Sequence, residues 1–279
     1  MDIEYDVSSI PQTINLDDSA ILFKGEDICL SKKFGDIVSK TPWYKKGYEI
    51  LSLQSFLDFN TVKLAVNEAI LKIIKQIYPT KSINGFKLEH YHKFINEEEH
   101  IAIDKILKRL YPKDFTFDDK LLVELISNEI KIKLDYSNKI LKNNHWIIIR
   151  INLPNSQGFN PPHKDIYQYL DYYNEIPRMI NAWIPICGVN AKTGLPIVPG
   201  SHLINENKIE RTKAGTKVNG KNFYVNCIKS WEGRNKMVIA SPKEGEILIF
   251  SSNLIHGLGK NNNTDETRIS LEFRLHESK

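Results

Sequence analysis

His163 and Asp165, in the run Pro161-Pro162-His163-Lys164-Asp165, set an imidazole and a carboxylate two residues apart. In extended chain such positions share a face. One segment following directly on the apolar run Trp146 to Leu153 can therefore offer a metal two ligands. The third is His256, which closes the apolar stretch that begins at Gly245-Glu246-Ile247. Two histidines and one carboxylate form a facial set that holds iron and leaves positions open for a cosubstrate and oxygen. A polar turn, 261–267, then leads into Arg268-Ile269-Ser270-Leu271-Glu272-Phe273-Arg274. The guanidinium fork of Arg268 suits a dicarboxylate, because bidentate pairing fixes orientation as well as charge. Ser270 lies on the same strand face and could share that carboxylate. Arg150 and Asn152 share one face of the strand that leads to His163. Either can contact the cosubstrate or serve the structure.

A further stretch joins these: Trp183-Ile184-Pro185-Ile186, then Gly194-Leu195-Pro196-Ile197-Val198-Pro199-Gly200-Ser201-His202. In this order the motifs resemble the Fe(II)/2-oxoglutarate dioxygenases, in particular the phytanoyl-CoA dioxygenase-like branch, over residues 145–276. The resemblance implies a double-stranded β-helix (jelly-roll, cupin-like) core. It also implies iron held by His163, Asp165 and His256, with 2-oxoglutarate anchored on Arg268 and O2 as co-reactant. Family members that halogenate lack the carboxylate, so Asp165 points to hydroxylation or a related oxidation. The chain departs from its relatives at Leu258, where many carry a small hydroxyl residue. Trp183 is expected beneath the site, and His202 as a hydrogen bonder in its turn; as a fourth ligand His202 would fill a position the chemistry needs open.

The elements that must position these residues fall into two regions. Residues 1–60 mix short apolar pieces with turns; the aromatic run 41–48 reads as core packing. Helices follow over Thr61 to Tyr78, from Asn96 with Glu99 as a capping box, and from Thr116–Asp119, with stripes such as Val62, Val66, Ala69, Ile70 and Ile73. His90, His92 and His100 among them read as surface or packing residues. From His145 the pattern turns to short strands: 145–153, 178–186, 195–198, 222–228, 237–240, 246–250 and 268–275. The expected fold is mainly β with α, a jelly-roll core (145–279) with an N-terminal helical buttress (1–144), in a single domain.

With 279 residues, 41% hydrophobic and 26% charged, the chain can bury an ordinary globular core. A net charge of +4 gives no reason to expect nucleic acid. Cys29, Cys187 and Cys227 are odd in number and widely spaced, which argues against a disulfide framework. With no apolar leader at the N-terminus and no membrane-length apolar run, the expected location is cytoplasmic. Between Asn205 and Lys243, nine Lys and Arg residues face three Glu. Such a segment is either a solvated loop or a cleft wall that attracts an anionic small-molecule substrate. The expected reaction is hydroxylation of a small polar anionic metabolite, an acidic sugar or amino-acid-like compound of a biosynthetic pathway. An acyl-CoA, a macromolecular target and a non-catalytic jelly-roll binding protein are the alternatives. The sequence carries no signal for oligomeric state.

Overall fold

The computed structural model describes residues 1–54, 56–137, 146–156, 158–173, 176–213 and 215–278. His145, the expected first residue of a strand, lies outside them. The protein is mostly strands with several helices, built on a curled sheet of the jelly-roll, cupin-like kind.

The main sheet runs in the order Tyr48–Ser52, Glu246–Ser251, Met179–Cys187 and Arg268–Glu277. Arg268–Glu277 is flanked on its far edge by Ile147–Asn152 and, at its C-terminal end, by the short strand Leu134–Asp135. All these pairings are antiparallel. Side chains alternate across a strand, and here the alternation separates two worlds. Ile147, Ile149, Ile151, Ile180, Ile184, Ile247, Ile249, Ile269 and Leu271 share one apolar core with the helices Phe59–Ile77, Glu97–Leu107 and Asp119–Ile130. Arg150, Asn152, Arg268, Ser270, Glu272, Arg274, Asn181 and Trp183 occupy the intervening positions. The helical layer is the expected buttress. Asn96 and Glu99 form the capping box as read from sequence, whereas the third helix is capped by Asp118, and Thr116 bonds Glu68 instead.

A second, smaller sheet runs in the order Ile10–Asn15, Asp2–Val7, Lys236–Ala240 and Leu195–Ile197, with the first strand of the chain parallel to Lys236–Ala240. The N-terminal region is therefore not simply helical: residues 1–52 contribute four strands to the sheets. The expected strand 222–228 is two strands, Lys221–Phe223 and Ile228–Trp231, which pair with Thr216–Val218 and Ile209–Thr212. Trp43 sits in the core and donates to Glu129 at 2.8 Å, so the aromatic run 41–48 is packing. His92 bonds Thr267 and Asp265, and His100 lies against the Tyr91 hydroxyl. The three cysteines are free and buried. Among the described residues, no helix is long and apolar enough to cross a membrane.

Candidate metal centre and cleft

His163 and His256 belong to loops that meet in a backbone bridge. The His163 N–H donates to the His256 carbonyl at 2.9 Å, and the reverse bond is 3.0 Å. The pair is thus joined by main chain, whatever the side chains bind. Asp165 reaches them by a route other than extended alternation. It already has helical dihedrals (φ −61°, ψ −30°) as the residue preceding the helix Ile166–Tyr172. The tight turn after His163, well past the end of the Ile147–Asn152 strand, folds the carboxylate back over the imidazoles. The Ser201 hydroxyl accepts from the Ile255 N–H at 2.8 Å and fixes the approach to His256. That is a contribution of the Pro-Gly-Ser-His turn, whose His202 ring lies edge-on to Tyr44.

Gly257 makes the meeting of the loops possible. Its φ is +145°, and a Cβ there would lie 2.6 Å from the Pro161 carbonyl oxygen. Gly257→Ala must push the two ligand loops apart. Its affinity for Mn(II) is expected to fall about 10–100-fold, the range typical of losing a ligand's support. Equilibrium titration of the metal checks this, and an unchanged affinity would show that the loops need no such contact.

The ligand atoms of His163, Asp165 and His256 all lie within 4.8 Å of one another, and all three residues are buried. Each histidine sets its Nδ1 on a main-chain carbonyl, Pro161 at 2.7 Å and Leu254 at 3.0 Å. A carbonyl only accepts, so both Nδ1 atoms carry the proton and both Nε2 lone pairs are free. The Nε2 atoms face Asp165 at 3.6 and 3.9 Å. Burial, and then the neighbouring His163, push His256 down to about 4, so its imidazole is neutral at pH 7. Burial works against the Asp165 charge, but Arg274 outweighs it and holds the carboxyl well below its usual range. Two imidazoles with their Nδ1 atoms held by main chain, and one carboxylate held by Arg274, are a donor set that fits Fe(II).

The triad opens into a cleft lined by aromatic and charged side chains, among them Phe159, Phe250 and Arg150. Arg268 lines it, is 1% exposed, and donates to Thr193 O (2.5 Å), Asn152 Oδ1 (2.6 Å) and Gly194 O (3.4 Å). None of these partners carries a charge. Burial lowers the guanidinium to about 10, which still leaves it charged at neutral pH. Its Cζ stands 5.3 Å over the Trp183 ring, whose indole N–H lines the cleft without a partner.

The other expected contacts have different duties. Asn152 sits opposite Arg268 and orients it, with its own amide nitrogen donating to Gly158 O. Arg150 is locked by two bonds, 2.7 and 2.8 Å, to Glu272. The Ser270 hydroxyl donates to that same carboxylate at 3.2 Å instead of sharing an anion with Arg268. Leu258, with a left-handed backbone (φ +57°), turns into the core.

Sequence reasoning missed three residues here. Arg274 clamps Asp165 with bonds of 3.1 and 2.8 Å. Asn181 lines the cleft with both amide atoms unpartnered. Lys164, between two ligands, is buried and paired with Glu206 at 2.8 Å, and Tyr167 also donates to Glu206, so the ligand turn is pinned from beneath. Period-two polarity along Arg268–Arg274 was a signal for the first of them. The basic segment, by contrast, gives the cleft none of its described lining residues. Arg211, Lys208, Lys217, Lys229 and Lys236 pair with acids.

A jelly roll holding a buried His-Asp-His face above an arginine-anchored cleft defines a mononuclear iron oxygenase architecture. The phytanoyl-CoA dioxygenase (PhyH) family model matches residues 50–270. The chain belongs to that family and is a 2-oxoglutarate-dependent dioxygenase, with Fe(II), 2-oxoglutarate and O2 as its cofactors. No curated protein matches it. Among solved structures it is similar to EctD from S. alaskensis in its apoform (12% identity, TM-score 0.50, covering 95% of this chain and 87% of that one). It is also similar to SnoK, a non-heme alpha-ketoglutarate-dependent carbocyclase from nogalamycin biosynthesis (13%, 0.47, 84% and 81%), and to AviO1 from Streptomyces viridochromogenes Tue57 (13%, 0.48, 84% and 90%).

Proposed function

We propose that this dioxygenase hydroxylates a small polar anionic metabolite, an acidic sugar or amino-acid-like compound in a biosynthetic pathway, with succinate and CO2 as coproducts. The observation that carries the cosubstrate assignment is Arg268: a buried charged guanidinium with only neutral partners, facing the same cleft as the triad. A buried charge without a counter-ion is costly, and a carboxylate of 2-oxoglutarate supplies one. His163, Asp165 and His256 hold the metal; Asn152 aims Arg268; the Trp183 N–H stands ready as a further donor. When bound, Fe(II) and 2-oxoglutarate supply oxygen activation coupled to loss of CO2. Phe159, Leu195 and Phe250 line the cleft and keep water from the reacting carbon.

The test is a metabolite screen for stimulated succinate release with iron and 2-oxoglutarate present. Hits among small anions, with iron-dependent product one oxygen heavier, are the expected result. Tight 2-oxoglutarate binding with no iron-dependent succinate from any compound would favour the non-catalytic binding protein.

A further inference from the structure

We propose that Arg274 and Asn181 together form a receptor for a carboxylate of the primary substrate, at the end of the cleft away from Arg268. The proposal rests on the oxygenase reading above. The two residues face each other across paired strands, with their side chains on the cleft side of the sheet. Phe250 sits beside Asn181 on the next strand and flanks it with a ring.

Asn181 is 3% exposed, yet neither its Oδ1 nor its Nδ2 has a partner. An unmade hydrogen bond at a buried amide is costly. Such a group on a cleft wall is explained by a ligand that completes it. Arg274 gives Nε and Nη2 to Asp165. Its side chain is 37% exposed and lines the cleft. The outer edge of the Arg274 fork and the unpartnered amide of Asn181 are therefore neighbours.

Position along the strand separates this place from the cosubstrate anchor. Arg268 and Arg274 are six residues apart on one face, about 20 Å between Cα atoms at about 3.3 Å per residue. Arg274 touches the ligand Asp165, so the metal centre lies within its reach, while Arg268 approaches from the other end.

Charge says what is bound. Arg150, Arg268 and Arg274 line the cleft against Asp165 and Glu272. A divalent metal and dianionic 2-oxoglutarate cancel, and a metal-bound imidazole adds no charge. One positive charge remains, which matches a monoanion. A phosphomonoester, carrying about −1.5 to −2 at pH 7, would overshoot it. Asn181 adds one donor and one acceptor. The substrate class is a carboxylate flanked by an O–H or N–H donor, as on a sugar acid or an N-acyl amino acid.

The experiment uses the full chain loaded with Mn(II) and 2-oxoglutarate, whose binding is measured first. Sugar acids and N-acyl amino acids are then compared with their methyl esters by thermal shift and calorimetry. At least one acid is expected to bind about tenfold or more tighter than its ester, as for a charge-assisted hydrogen bond. That preference is expected to vanish in Arg274→Gln and to weaken about tenfold in Asn181→Leu and Asn181→Asp. Acid and ester binding alike, or no acid binding to a complex that holds Mn(II) and 2-oxoglutarate, overturns the receptor and leaves the oxygenase standing. Failure of the parent chain to bind Mn(II) and 2-oxoglutarate overturns both. If Arg274→Gln also loses Mn(II), Arg274 is a positioning residue for Asp165. The Asn181 variants then decide, and an unaltered acid preference in them overturns the proposal.

Discussion

His163→Ala and His256→Ala are expected to lose Fe(II) binding and to reduce 2-oxoglutarate turnover to background, with the fold intact. The fold survives because the two loops are joined through main-chain atoms, which alanine keeps. Nor does the loss strand a charge: Asp165 retains its two bonds to Arg274. What disappears is one of three donors, and a facial set reduced to two cannot hold the metal against water. Metal titration and succinate release read the loss, and far-UV circular dichroism reads the fold. A variant that keeps iron and full turnover would remove that histidine from the centre.

Arg268→Lys is expected to weaken 2-oxoglutarate binding by about 1–3 kcal/mol, or about 5–150-fold, as measured on the Mn(II)-loaded protein. The charge is kept, but the fork is lost. One ammonium cannot satisfy Thr193 O, Gly194 O and Asn152 Oδ1 and still present a paired edge to a carboxylate. Unchanged affinity would move the anchor to Arg150, which would first have to leave Glu272.

The parts of this site that were legible in the chain share a property: their function demands particular residue types in a fixed order. His163, Asp165, His256 and Arg268, which the structure brings to one cleft, could be picked out because few other residues suit such chemistry. The buttress helices were legible because amphipathic periodicity and capping are local. Strands in residues 1–52 were not, since a short strand declares itself only through a partner, here as distant as Lys236–Ala240. The local mistake about Asp165 has the same origin. Spacing of two suggests an extended pair, and only the tertiary turn shows a helical residue. Charge counting between Asn205 and Lys243 could not choose between a solvated loop and a cleft wall, because composition does not reveal which cations already have acids beside them. Lys164 is the reverse case: a lysine in a hydrophilic run gives no hint that it lies buried on Glu206.

The main-chain bridge between His163 and His256 also sets the order of events when the protein is made. The two residues are about ninety positions apart, and closing so long a loop is slow and must precede any contact it brings. In an unfolded chain His256 is far from the neighbouring His163 and Asp165, so iron finds only part of its site there. The sheet must close first, and metal then loads into a finished scaffold. Because the ion favours only the native state, free metal at a hundred times its dissociation constant adds about 2.7 kcal/mol to stability. Iron supply thus becomes a determinant of how long each folded copy lasts.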